Sequence, residues 1–228
     1  MVLIFRPGYL LNIILVYVPG LIFTLTRLKN STKKILLFGV TSILFILPVE
    51  VLARLTNSWD VASDFPRILE IAPIENVLYG LVNIIFPLAF YEYFYDLDRN
   101  WKISNRYKIL IGIYIALFGI TFGLFFIDKN LLKLDYWIIG LAIILPIMIL
   151  VIKFKPHILK RLIVPALIFG SMYLIHEVVS MYIGHWWWPG NYLLPLNMAG
   201  HIYPLDDLII WIFCSNVAVI SGYEVLWD

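Results

Sequence analysis

The sequence predicts an all-α integral membrane protein of seven transmembrane helices, built as two parallel three-helix repeats joined by a connector helix. Three observations predict it. The 228 residues are 62% hydrophobic and only 14% charged, with a mean hydropathy of +0.90, a balance foreign to soluble domains. Seven apolar runs have the length needed to cross about 30 Å of hydrocarbon. The chain also matches itself at a fixed offset.

The runs lie near 9–26, 35–53, 73–95, 108–127, 135–152, 162–183 and 204–227. Unpaired backbone amides are not tolerated in lipid, so spans of this length without period-2 alternation are helices rather than barrel strands. The first begins near Tyr9, lacks a small-residue cleavage site and runs into a basic loop, as a retained span does. Basic residues cluster after the first, third and fifth spans: Arg27, Lys29, Lys33 and Lys34, then Arg99, Lys102, Arg106 and Lys108, then Lys153, Lys155, Lys160 and Arg161. By the positive-inside rule these connections are cytoplasmic, the N-terminus is outside and the C-terminus inside. The opposite connections carry Trp59, Asp60, Asp64 and Glu70 in one loop and His185 with Trp186, Trp187 and Trp188 in another. An interfacial aromatic belt accounts for such tryptophans without any further role.

At an offset of 127 the chain aligns Tyr9 with Tyr136, Pro19 with Pro146, Lys33-Lys34 with Lys160-Arg161, Glu50-Val51 with Glu177-Val178, and Trp59 with Trp186. After a four-residue insertion, Pro73-Ile74-Glu75-Asn76 matches Pro204-Leu205-Asp206-Asp207. Hydrophobic similarity alone aligns Leu with Ile, but not charged, proline and tryptophan positions. The expected organisation is a first repeat over 1–98, a connector over 99–133 and a second repeat over 134–228. Both repeats start on the same side, so the symmetry axis would run along the membrane normal.

An ionisable residue at the centre of a lone helix costs about 2.5 to 3.5 kcal/mol to insert, which makes intramembrane acids candidates for function that face the bundle interior. Glu50 and Glu177 stand toward the non-cytoplasmic ends of the second and sixth spans. Glu75 and Asp206 begin the third and seventh on the same side, so all four are expected to approach one another. Desolvation and like-charge neighbours keep some carboxyls of such a group protonated at neutral pH. Capping behind a proline would account for Glu75 and Asp206 without chemistry, and an ion pair with Arg54 or His176 would do so for Glu50 and Glu177. Glu92, Asp96, Glu224 and Asp228 lie at the cytoplasmic ends, where pairing with the basic loops suffices.

Other chemistries find little footing. His176, His185 and His201 lack tight ligand spacing, and the single Cys214 supports neither a disulfide framework nor a thiolate cluster, so no metal is expected. No Gly-x-Gly-x-x-Gly follows a strand, so no flavin or nicotinamide cofactor is expected. Asp206-Asp207 is followed by Leu208-Ile209-Ile210 rather than by further acids, and Asp96-x-Asp98 sits in a loop, which disfavours diphosphate chemistry. From 162 onward there is neither Lys nor Arg, so the last span offers no Schiff-base lysine. A net charge of +2 gives no argument for nucleic acid; the lipid bilayer is the expected partner, and protein partners cannot be read.

An acid before a Trp-bearing loop, followed by Pro-x-Glu-(Glu/Asp) at the start of an apolar helix, resembles the lycopene cyclase domain of microbial carotenoid cyclases. The resemblance covers nearly the whole chain as two fused copies, with Pro73 to Asn76 and Pro204 to Asp207 at the motif positions. Asn76 departs from the second acid, and Asp206 stands where the family usually has Glu. The resemblance implies a microbial cell-membrane enzyme without cofactors that acts on a lipophilic polyene. It would protonate a terminal double bond, close a ring through the carbocation and remove a proton. Glu75 and Asp206, with Glu50, Glu177 and Asp207, are the implied catalytic acids and bases; Asn76, Trp59, Trp186 and Tyr79 would line the substrate and stabilise a cation. Three rival readings remain: a small seven-helix terpene cyclase acting on another isoprenoid, a proton-coupled carrier with parallel repeats, and a catalytically silent scaffold.

Overall fold

A computed structural model describes residues 8–28, 31–96, 105–133, 135–198 and 200–227. The chain is 76% helical with seven helices, six of them long and apolar enough to cross a membrane, and the protein is accordingly read as a multi-pass membrane protein. The remaining helix, α1 (Tyr9–Leu25), has 17 residues and rises about 26 Å, close to the hydrocarbon thickness. The second span is α2 (Thr32–Thr41) continued by α3 (Ile43–Leu55). The third is α4 (Ile74–Tyr91), extended by a π-helical turn over Glu92–Asp96. Then come α5 (Asn105–Asp128), α6 (Tyr136–Phe154) and α7 (Leu159–Tyr182). The last span opens as an eight-residue π-helix, Asp207–Cys214, and continues as α8 (Ser215–Trp227). Lys29, Asp98, Arg99, Lys102 and Asp228 lie outside the described residues.

Lipid is as apolar as leucine, so helices in it associate by close packing, and small residues mark where backbones approach. A Cβ on Gly20 of α1 would meet Phe86 of α4 at 2.5 Å, and one on Gly39 of α2 would meet Ile85 of α4 at 2.4 Å. Gly140 of α6 accepts Ile210 and Gly170 of α7 accepts Phe213 in the same way. α4 is thereby the hub, packed on α1, α2, α3, α7 and α8. α5 lies against α3 and α8 and turns Ile109, Ile113, Ile115, Ile120 and Phe126 outward, where only lipid would solvate them.

The two ends of the bundle differ. At one end the loops pair as β-structure that the hydropathy pattern does not announce. β1 (Asp60–Val61) runs antiparallel to β2 (Trp186–Trp187), with Asp60 opposite Trp187 and Val61 opposite Trp186. β3 (Pro195–Met198) and β4 (His201–Pro204) form a hairpin whose turn uses Gly200 at φ +82°, a backbone conformation that costs glycine little. Asp60 organises the first loop by accepting from Arg54 and, at 3.0 Å, from Arg67. At the other end, Glu92 is fully buried, 3.6 Å from Lys34 Nζ, and accepts a hydrogen bond from Tyr223. Lys155 reaches Glu224 there at 3.7 Å.

Candidate functional site

Helical spacing of three and four puts side chains on one face, and four helices turn such a face toward a single cavity of about 150 Å³. α3 contributes Phe45, Ile46, Val49 and Glu50. α4 contributes Asn76, Tyr79, Gly80, Asn83 and Ile84, and α7 contributes Tyr173 and Glu177. The last span contributes Asp207, Trp211, Ile212, Ser215 and Val219. Trp59 and Trp186, brought together by the β1–β2 pairing, close it at the strand-bearing end. Trp59 packs edge-on to Trp211 at 5.9 Å and Trp186 to Tyr79 at 5.6 Å. The chamber is a greasy, aromatic-walled space whose polar lining includes Glu50, Asn76, Glu177 and Asp207, one from each of four spans.

Those groups form two pairs. In the first, Asn76 Nδ2 donates to Glu50 Oε1 at 2.5 Å, while Tyr9 Oη donates to Asn76 Oδ1 at 2.9 Å. The amide is thus held with its donor face on the carboxyl. Glu50 also feels the charge of Arg54, one turn further along α3, whose guanidinium bonds the Trp59 carbonyl at 2.9 Å as well as Asp60. In the second pair, Tyr203 Oη lies 2.8 Å from Glu177 Oε2 and 2.7 Å from Asp207 Oδ2, and Tyr79 donates to Glu177 Oε1 at 3.3 Å. Burial first, then the Asp207 and Glu177 charges, hold the Tyr203 phenol far above its usual range, so it keeps its proton. A phenol has one proton to donate. Either the phenol shares its one proton between the two carboxyls as a three-centre hydrogen bond, or one carboxyl carries a proton and donates it to the phenol oxygen.

The sequence singled out Glu50, Glu177, Asp207, Asn76, Trp59, Trp186 and Tyr79, and all seven line the chamber. Glu75 and Asp206 are not among the lining residues. Glu75 is fully buried against the first loop, accepting from Ser63 Oγ at 2.9 Å, Asp64 N at 2.6 Å and Phe65 N at 3.1 Å. It clamps that loop to the start of α4. Asp206 sits at the foot of the hairpin, where burial pushes its carboxyl above the ordinary aspartate range against the pull of nearby backbone amides. The reason is rotational: neighbouring helix positions point about 100° apart, so when Asn76 and Asp207 face the chamber their predecessors face elsewhere.

His176 does not pair with Glu177. Its ring stacks on Tyr79 at 5.1 Å and lies 3.5 Å from Ser180 Oγ, which accepts from Asn12 at 3.2 Å. Among the described residues no three His, Cys, Asp or Glu side chains are gathered to hold a metal ion. Sequence reasoning missed Tyr203, which falls opposite Ala72 in the self-alignment, and Trp211, which looks like any apolar span residue. Tyr9 was visible only as a self-match. No family model, curated protein or solved structure matches the chain.

Proposed function

We propose that the protein is a membrane-embedded cyclase of linear isoprenoid hydrocarbons, of the lycopene cyclase type, working by acid–base catalysis without a cofactor. The observation that carries the reading is the single phenol of Tyr203 between Glu177 and Asp207, two carboxyls that share a proton in this reading and that line an apolar, aromatic-walled chamber together with Glu50. The Glu177–Tyr203–Asp207 group delivers that proton to the terminal double bond, forming a C–H bond and leaving a tertiary carbocation. An internal double bond of the same chain attacks the cation and forms the ring C–C bond. Glu50 then takes a proton from the carbon beside the new cation, and the electron pair of that C–H bond becomes the ring double bond. No atom is gained or lost. Trp59, Trp186, Trp211 and Tyr79 present π faces and edges around the path of the cation and exclude water that would trap it.

The roles divide because the surroundings differ. Glu177 shares the Tyr203 phenol with a second carboxyl, Asp207. Glu50 has no second carboxyl bonded to it but an amide donor, Asn76. The proposal includes the organisation behind this division. Repeats over 1–98 and 134–228, joined by 99–133, would make Glu50 with Asn76 and Glu177 with Asp207 equivalent pairs, one specialised as base and the other as acid. It also includes the orientation, with the Lys34 and Lys155 end cytoplasmic and the tryptophan-closed end outside.

The test is expression in a host that accumulates lycopene, followed by pigment chromatography. Cyclised product is expected with the native chain and linear pigment with Glu177→Gln or Glu50→Gln. Linear pigment with the native chain, there and in hosts supplying other linear carotenoids, overturns the reading.

A further inference from the structure

The acid chamber does not end at its own walls. A second cavity, of about 60 Å³, shares five of its lining residues, Phe45, Ile84, Trp211, Ser215 and Val219. From there it runs on between Phe38, Tyr114, Ile144, Ile147, Ala218 and Gly222. Along the last span, chamber and extension together reach from Asp207 to Gly222, about 20 Å at 1.5 Å per residue, or some two thirds of the hydrocarbon thickness of about 30 Å. The extension is lined mostly by apolar side chains. Ser42 Oγ donates to the Phe38 carbonyl at 2.7 Å, and Ser215 Oγ donates to the Trp211 carbonyl. Both serine protons are thus committed to the backbone, and Tyr114 and Trp211 contribute the other polar groups of the lining.

Interiors are normally filled to crystal density. A narrow apolar slot continuous with a chamber that holds a cluster of acids therefore has the form of a holder for a flexible hydrocarbon chain. We propose that it is the subsite for the unreacting tail of the substrate, resting on the cyclase reading above. One end group of a long linear isoprenoid lies among Glu50, Glu177 and Asp207, and its chain threads past Trp211 and Val219 into the slot between α5, α6 and α8. Two consequences follow. Substrates are selected by chain length as well as by end group, and each end of a symmetric polyene must enter separately, because the Glu50–Asn76 and Glu177–Asp207 pairs line one chamber.

The test uses full-length protein in phosphatidylcholine nanodiscs and two probes: lycopene, and myrcene, an unsaturated hydrocarbon the size of one end group. Lycopene binding is read by tryptophan-to-polyene energy transfer and myrcene binding by thermal shift. Ala218→Leu fills the slot from α8. Ile147→Phe fills it from half-buried α6, so a folding defect in the first variant does not decide the matter. Each is expected to weaken lycopene about tenfold and leave the myrcene shift unchanged. Native lycopene affinity in both variants, or equal loss of both probes, overturns the subsite. So does native protein that fails to take up lycopene against phosphatidylcholine, because the slot would then belong to a lipid acyl chain. Ring closure is scored separately. Slot-dependent binding without ring formation supports the subsite and sinks the cyclase, whereas ring formation indifferent to both variants does the reverse.

Discussion

Asn76 donates its side-chain amide to Glu50 at 2.5 Å and accepts from Tyr9 at 2.9 Å, so the one chamber position that lacks a second acid is occupied by a group fixed as a donor. An aspartate there would put two carboxyls together, as Glu177 and Asp207 already are. Replacing Asn76 by Asp is therefore expected to convert the base into a second proton-sharing pair and lower turnover about a hundredfold or more, with substrate affinity little changed. Separate measurement of kcat and KM on reconstituted protein checks this. An unchanged kcat contradicts the assignment of Glu50 as base.

A protonated carboxyl beside Tyr203 has a signature that needs no substrate. Infrared spectra of the native protein should contain a carbonyl band of a buried, protonated acid at neutral pH. The band is expected to disappear in Glu177→Gln or Asp207→Asn and to shift in Tyr203→Phe. Its persistence in both acid variants would place the proton on another residue.

Glu75 holds Ser63, Asp64 and Phe65 and does not line the chamber. Its replacement by Ala leaves buried donors of the first loop without an acceptor, at a cost of about 1–3 kcal/mol, and should lower the unfolding midpoint in detergent. Activity per folded molecule should stay within a few-fold of native. A loss as deep as that of Glu177→Gln at an unchanged midpoint would instead make Glu75 part of the chemistry.

The Lys34–Glu92 pair is buried at the opposite end, where a lone charge is far more costly than a missing pair. Lys34→Met is expected to destabilise by about 3–5 kcal/mol, whereas Lys34→Met combined with Glu92→Leu should recover most of that loss. Denaturant titration of the two variants decides. Additive losses would show that the charges do not depend on each other.

Gly170 admits Phe213, with a Cβ–ring separation of only 2.5 Å available to any larger residue. Gly170→Val pushes the last span off α7 and separates Glu177 from Asp207. A stability loss of about 1–3 kcal/mol should accompany loss of the infrared band. A folded Gly170→Val protein with the band intact would show that the two carboxyls are held together by other contacts.

The spans were legible in the residues alone, because lipid accepts only long apolar helices and makes their lengths and ends visible in the order of Leu, Ile, Lys and Trp. The acids at Glu50 and Glu177 were legible for the same reason, since a charge in such a run is conspicuous. Hydropathy does not show which of two neighbouring residues turns inward. Asn76 rather than Glu75, and Asp207 rather than Asp206, face the chamber because helix rotation is set by how Gly20, Gly39, Gly140 and Gly170 seat their partners. Tyr203 reaches the two carboxyls from a β-hairpin that no periodicity in the chain announces. Composition and order determined where the protein lives and which groups it carries into the bilayer. Packing decided which of them meet, because side-chain direction depends on contacts between segments far apart in the chain.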